Sequence, residues 1–281
     1  MKYGFCEAAG LKVFYRECGR IDKPVFLLLH GFPSASHQFR NLMPRLEEKF
    51  HLIAPDLIGF GQSEAPGRSE FAYTFEHLTD VLEAFLEAMS IHDFYVYVFD
   101  YGAPIGFRLA LRHPERILGI VSQNGNIYEE GLGRKWEARK AYWENPTEEL
   151  RRSFASAFAP ETIVKQYKNG EKEGSISPDG YSLDIFYSYS DGYAERQNDL
   201  IFDYQTNVAM YPAFQQYLRE YQPKVLAAWG KNDPSFLWAG AEAFQRDDKN
   251  ARAVPLEGGH FALETHDRQL ASLIMDFFEE E

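Results

Sequence analysis

Three polar residues, each placed after an apolar run, are of types that together could perform covalent chemistry: Asp100, Asp233 and His260. Asp100 follows Phe94–Phe99 (FYVYVF), a run of β-formers, and precedes Tyr101-Gly102-Ala103 and a helix-like segment. A polar residue on a sharp strand-to-helix turn, with Gly two positions on, has the shape of a nucleophile elbow. The turn exposes the side chain, and the helix start aims backbone N–H groups at it. A carboxylate is ionised near neutrality and needs no base to attack; it would form an ester with an electrophilic carbon. The plainer reading is an Asp serving as a helix N-cap. Asp233 stands just past Lys224–Trp229 (KVLAAW), and His260 follows Ala251–Leu256 after Glu257 and two glycines. A lone His after a strand is more often structural, so the weight lies in the order of nucleophile, acid and histidine. Val25–His30 (VFLLLH) runs into Gly31-Phe32-Pro33. The backbone N–H of Phe32, with that of Tyr101, would form an oxyanion hole, and a bond before Pro is where a cis peptide is expected.

These residues need a frame that brings strand ends together. Short apolar runs at Val25–His30, His51–Pro55, Phe94–Phe99, Ile117–Ser122, Lys224–Trp229 and Ala251–Leu256 suit strands covered on both faces. Leu11–Cys18 (LKVFYREC) alternates like an edge strand. Helical spacing appears at His37–Lys49, Thr74–Met89, Pro104–Arg112 and Gln269–Phe278. This β-α-β alternation predicts a mostly parallel sheet flanked by helices, with functional groups at the carboxyl ends of its strands. From Asn126 to Pro212 the strand signal fails, and Arg134–Trp143, Glu148–Ala157 and Pro160–Tyr167 look helical, broken by loops at Lys168–Gly180. We therefore expect a core formed by residues 1–125 and 213–281, with a helical cap, 126–212, inserted between two strands.

Composition bounds the partners. The 281 residues are 45% hydrophobic and 25% charged, ordinary globular usage, and the net charge of −13 weighs against nucleic acid and anionic membranes. Aromatic residues reach 16%, enough for an aromatic-lined cavity or a thick core. Cys6 and Cys18 give neither a disulfide framework nor a zinc spacing. They could face each other across a hairpin, but free thiols in a reducing compartment are the simpler expectation. No apolar run is long enough for a signal peptide or a membrane span. The expectation is a cytoplasmic protein that acts on a small apolar or amphipathic molecule without metal or cofactor and that could form a homodimer.

HGFP at His30–Pro33, DLIGFGQS at Asp56–Ser63, FDYGAPIG at Phe99–Gly106 and GGHF at Gly258–Phe261 resemble the α/β-hydrolase superfamily. More narrowly, they are similar to its branch of epoxide hydrolases and haloalkane dehalogenases, which use an Asp nucleophile. The resemblance spans nearly the whole chain outside the cap. The chain departs from the pattern at Val98, where many elbows have a small residue, and at Tyr101, where both subfamilies usually carry Trp.

The resemblance implies that Asp100 attacks a substrate carbon, that His260, oriented by Asp233, activates a water, and that Phe32 and Tyr101 hold the oxyanion. Some relatives place the acid after the preceding strand. Here that stretch is Gln123-Asn124-Gly125-Asn126, without a carboxylate, which leaves Asp233. An epoxide oxygen needs an acid, by resemblance a cap Tyr; Tyr204 and Tyr211 compete for the role. A halide needs two N–H donors, and Trp136 and Trp143 could line the pocket or supply them. HGFP looks like the HGxP motif of epoxide hydrolases, whereas Phe32 replaces the Asn of many haloalkane dehalogenases. The expected activity is thus epoxide hydrolysis, with haloalkane or haloacid dehalogenation as the alternative. A non-catalytic ligand-binding homologue and a serine esterase using Ser36 or Ser122 are the readings from other classes. Asp56, Gln62 and Ser63 are expected to brace a loop. His37, His51, His77, His92, His113 and His266 show no partner pattern and read as surface or structural.

Overall fold

Strands rich in Val, Ile, Leu and Phe build one eight-stranded sheet in the computed structural model of the chain, which describes residues 1–279. The expected core boundary at 281 therefore lies outside the described residues. The strands are β1 (Lys2–Ala8), β2 (Leu11–Cys18), β3 (Val25–Leu29), β4 (His51–Pro55), β5 (Phe94–Phe99), β6 (Ile117–Gln123), β7 (Val225–Gly230) and β8 (Ala251–Leu256), in the order β1-β2-β4-β3-β5-β6-β7-β8. β2 runs antiparallel to both β1 and β4, and the other pairs are parallel. Alternation along each strand divides the core. Leu27, Leu29, Val96 and Val98 face one side, and Phe26, Leu28, Tyr97 and Phe99 face the other.

The helices are α1 (Met43–Leu46), α2 (Phe75–Ala88), α3 (Gly102–Arg112), α4 (Trp136–Glu144), α5 (Glu148–Ser153), α6 (Pro160–Lys168), α7 (Pro178–Ser188), α8 (Tyr193–Tyr221), α9 (Trp238–Asp247) and α10 (Leu263–Glu279). α2, α3 and α9 cover one face of the sheet, and α1 and α10 the other. α4 to α8 all lie in the segment between β6 and β7, and α8 continues without interruption through Pro212 to Tyr221. Among the described residues no helix is long and apolar enough to cross a membrane.

Several local expectations are corrected. Leu11–Cys18 is not the edge strand; β1 stands outside it. The helix expected over His37–Lys49 reduces to a 3-10 turn at Ser36–Phe39 and the single turn of α1. Pro44 explains the break: its ring collides with the carbonyl four residues back in any longer helix. Glu148–Ala157 divides into α5 and a 3-10 turn at Phe154–Phe158. The strand register sets Cys6 opposite Val13 rather than Cys18, and both thiols are free. The Cys18 thiol donates to Glu47 Oε2 at 2.8 Å.

Candidate active site

β5 delivers Asp100. The chain must turn at once into α3, and Asp100 does so with φ at +47°, a left-handed conformation that costs a non-glycine residue about 1–2 kcal/mol. α3 approaches β5 closely because Gly106 has no side chain: a Cβ there would stand 2.5 Å from Val98 Cγ1. The bulk at Val98, which departs from the family pattern, is accommodated by that gap.

Asp100 is not the helix cap. The N-cap of α3 is Tyr101, without a side-chain cap bond. Instead Asp100 Oδ1 accepts the backbone N–H of Phe32 at 2.8 Å and that of Tyr101 at 2.7 Å. Gly31 permits this approach, since a Cβ on it would lie 2.5 Å from Oδ1. The Phe32–Pro33 peptide is cis. Oδ2 of Asp100 faces the ring of His260, 3.6 Å from Nε2. The two carboxylate oxygens are therefore inequivalent, one held by two N–H groups and the other turned to the imidazole.

His260 Nδ1 lies 2.7 Å from Asp233 Oδ2, and the rings of Phe99 and Phe236 stand 4.7 and 5.9 Å from the imidazole. Asp233 Oδ1 accepts the N–H of Ser235 at 2.7 Å. Asn124, directly after β6, donates from Nδ2 to Asp233 Oδ2 at 2.9 Å, and its Oδ1 accepts the Gly230 N–H at 2.8 Å. Burial works against a charged His260, but the Asp233 and Asp100 carboxylates outweigh it and push its pKa up to about 9.

A cavity of about 270 Å³ opens above this group. Asp100, His260, Phe32, Tyr101, Trp136 and Tyr204 line it, with Lys135, Arg139, Gln166 and Phe236. Of the two competing tyrosines, Tyr204 reaches the cavity. Tyr211 sits behind it, its hydroxyl 3.4 Å from that of Tyr204 and 3.4 Å from Asn126 Nδ2. Burial raises the phenol of Tyr204 well above its ordinary range.

Neither tryptophan offers its N–H to a ligand. Trp136 donates to the Ser235 carbonyl at 3.0 Å and Trp143 to the Ile201 carbonyl at 2.9 Å, and Trp143 is not part of the cavity wall. The serines are also engaged: Ser122 donates to the Gly125 carbonyl at 2.7 Å, and Ser36 accepts from Arg16 at 3.0 Å. Asp56 holds its loop by accepting the N–H groups of Ser36 and Gln62 at 2.7 and 2.8 Å. His37 and His51 are buried and do have partners. Nε2 of His37 is 3.1 Å from Asp184 Oδ1, and Nε2 of His51 is 2.7 Å from Glu17 Oε1.

Sequence reasoning missed Lys135, Arg139 and Phe236, and it set Asn124 aside because that residue is not a carboxylate. Asn124 carried a usable signal, its place immediately after a strand. Lys135 and Arg139 read only as charges on a helix, and nothing in their spacing says which way they face.

The pattern that describes the alpha/beta hydrolase fold family matches residues 24–267. The chain belongs to that family. This hydrolase is 45% identical over 276 residues to "Uncharacterized hydrolase YNR064C" of Saccharomyces cerevisiae, a match covering 96% of this chain and 94% of the relative. It is also related to haloalkane dehalogenases. One from Bradyrhizobium diazoefficiens is 42% identical over 112 residues, 40% of this hydrolase and 35% of the relative's length. Among solved structures, haloalkane dehalogenase DbeA from Bradyrhizobium elkani superposes with a TM-score of 0.79 at 24% identity, covering 100% of this chain and 99% of that one. That likeness concerns the fold alone.

Proposed function

We propose that the protein hydrolyses a small epoxide to a diol through a covalent ester on Asp100, beneath a lid formed by the helices between β6 and β7. The observation that carries the proposal is the inequivalence of the Asp100 oxygens. Oδ1 already occupies the position where two backbone N–H groups would hold an oxyanion, and Oδ2 is the oxygen left to attack.

Attack of Oδ2 on a ring carbon breaks the carbon–oxygen bond of the epoxide. The departing alkoxide takes the hydroxyl proton of Tyr204, and the proton of the His260 imidazolium restores the phenol through the cavity. Ester formation cancels the Asp100 charge, which removes one of the two causes holding His260 protonated, so the ring arrives at the second step as a base. Water then adds to Cγ of Asp100 while His260 takes its proton, and the oxyanion on Oδ1 is held by Phe32 and Tyr101. Collapse expels the diol oxygen, which leaves with the proton of the newly formed carboxylic acid. Asp100 returns as a carboxylate beside an imidazolium, and the net reaction is epoxide plus water to diol.

An epoxide is favoured over a carbon–halogen bond by the donors available. A leaving oxygen finds the phenol of Tyr204, whereas a halide finds both indole N–H groups already bonded to carbonyls and the Lys135 and Arg139 side chains left to hold it. The test is intact mass of His260→Gln after exposure to styrene oxide and, separately, to 1-bromobutane. We expect an adduct of the full epoxide mass, located on Asp100 and absent from Asp100→Ala. An adduct from the bromide alone would transfer the site to dehalogenation, and no adduct from either would end the ester mechanism.

A further inference from the structure

The cavity holds two cations that the ester chemistry does not use. Lys135, the N-cap residue of α4, and Arg139, four residues on in its first turn, both line the space that contains Asp100 and His260. Most arginines elsewhere in this acidic chain rest on carboxylates. Arg40 does so on Glu264 at 2.7 Å, and Arg219 on Asp247 at 2.7 Å. Arg139 has no such partner among the described residues. Its guanidinium lies against the Trp136 ring, 4.6 Å from the centroid. The Lys135 ammonium donates to a neutral acceptor, Ser235 Oγ, at 3.0 Å. The carboxylates below them are already engaged, since the His260 ring lies between Asp100 and Asp233.

Two cations on one wall of a cavity, neither in an ion pair among the described residues, focus positive potential on it and favour a bound anion; Arg139 is half-buried there and Lys135 is exposed. Partial desolvation pulls Lys135 below the ordinary lysine range, and the neighbouring Arg139 and Lys165 add to that pull against the Asp233 and Asp100 carboxylates. A ligand carboxylate would supply the missing charge, and its planar pair of oxygens matches the guanidinium fork.

We infer that the substrate carries a carboxylate, gripped by Arg139 and Lys135, while its electrophilic carbon faces Asp100. The electrophilic part of this statement rests on the proposed ester mechanism; the anion site does not.

Equilibrium binding separates the two. Calorimetry of the intact protein with phenylacetate and with its uncharged counterpart phenylacetamide should give a carboxylate preference of about ten-fold or more, the equivalent of one charge-assisted contact. Arg139→Gln and Lys135→Gln should each reduce that preference, and Arg139→Lys should retain part of it. Equal binding of acid and amide, or a preference unchanged in both Gln variants, would overturn the inference. A kinetic arm compares 3-phenylglycidate with styrene oxide in the same proteins. We expect the ratio of their kcat/KM values to favour the glycidate and to fall about ten-fold in Arg139→Gln. Turnover of both epoxides without a carboxylate preference sinks the anion site and spares the ester mechanism. Carboxylate binding through Arg139 with no epoxide turnover keeps the anion site and removes the epoxide hydrolase reading.

Discussion

Asn124 donates to the same oxygen of Asp233 that meets the imidazole of His260, at 2.9 Å against 2.7 Å. The amide also accepts the Gly230 N–H, so it fastens the ends of β6 and β7 together while fixing the carboxylate. Asn124→Ala leaves that buried N–H without an acceptor and Asp233 with one donor fewer, a loss of about 1–3 kcal/mol. We expect a melting temperature several degrees lower and ester hydrolysis slowed about ten-fold, read by single-turnover kinetics.

The two tyrosine hydroxyls should separate in function because only Tyr204 reaches the cavity. Tyr204→Phe should slow epoxide ring opening by about 10²–10⁴, the usual contribution of a positioned acid. Tyr211→Phe should cost far less, since its hydroxyl acts through Tyr204 at 3.4 Å. Pre-steady-state rates of adduct formation in the two variants decide the matter; equal losses would argue that the pair acts as one donor.

Stability should carry the signature of His260. Its pKa in the folded protein is raised to about 9 from an ordinary 6.5. The stabilisation is therefore complete below pH 6.5 and disappears as pH rises through 9, an effect on the order of 3 kcal/mol. Urea unfolding of the native chain at pH 6 and pH 10, referenced to His260→Gln, isolates this contribution. Asp100→Asn removes one of the two carboxylates and should move the window downward.

Gly106 and Val98 form a packing couple. Gly106→Ala places a methyl group 2.5 Å from Val98 Cγ1 and should destabilise by about 1–3 kcal/mol through overpacking. Val98→Ala removes the obstructing atom, so the double variant should recover much of the Gly106→Ala loss. A double-mutant cycle in denaturant measures that coupling; simple additivity would contradict the packing account.

Much of the sheet was legible because β3, β4, β5, β6, β7 and β8 are apolar runs bounded by turns, the pattern of strands covered on both sides. The placement of Asp100, Asp233 and His260 at one sheet edge followed from the parallel alternation. α7, α8 and α9 escaped notice for different reasons, α8 because it buries polar residues such as Arg196, Gln197 and Asn207 along with its aromatics and so shows no apolar stripe. α7 leaves Leu183 and Phe186 exposed, so it shows no apolar face, and α9 buries Gly240, Ala241 and Ala243, too small to stand out in a pattern. The cavity walls were not legible. Whether Lys135 points into the protein or away from it depends on how α4 rests on Ser235, and whether an indole N–H is available depends on which carbonyl is near. Sequence spacing carries neither fact.

α8 is one unbroken 29-residue helix. Its later turns lie among α2, α3 and α9, with Phe214 5.6 Å from Phe107, and the middle is tied to α3 by Arg108, which donates to Asn207 at 2.6 Å. Tyr204 is thus carried on a girder anchored in the sheet's own scaffold. Its ring is also clasped from above by Trp136 of α4, 4.4 Å away, so any shift of α4 that enlarges the cavity is transmitted directly to Tyr204.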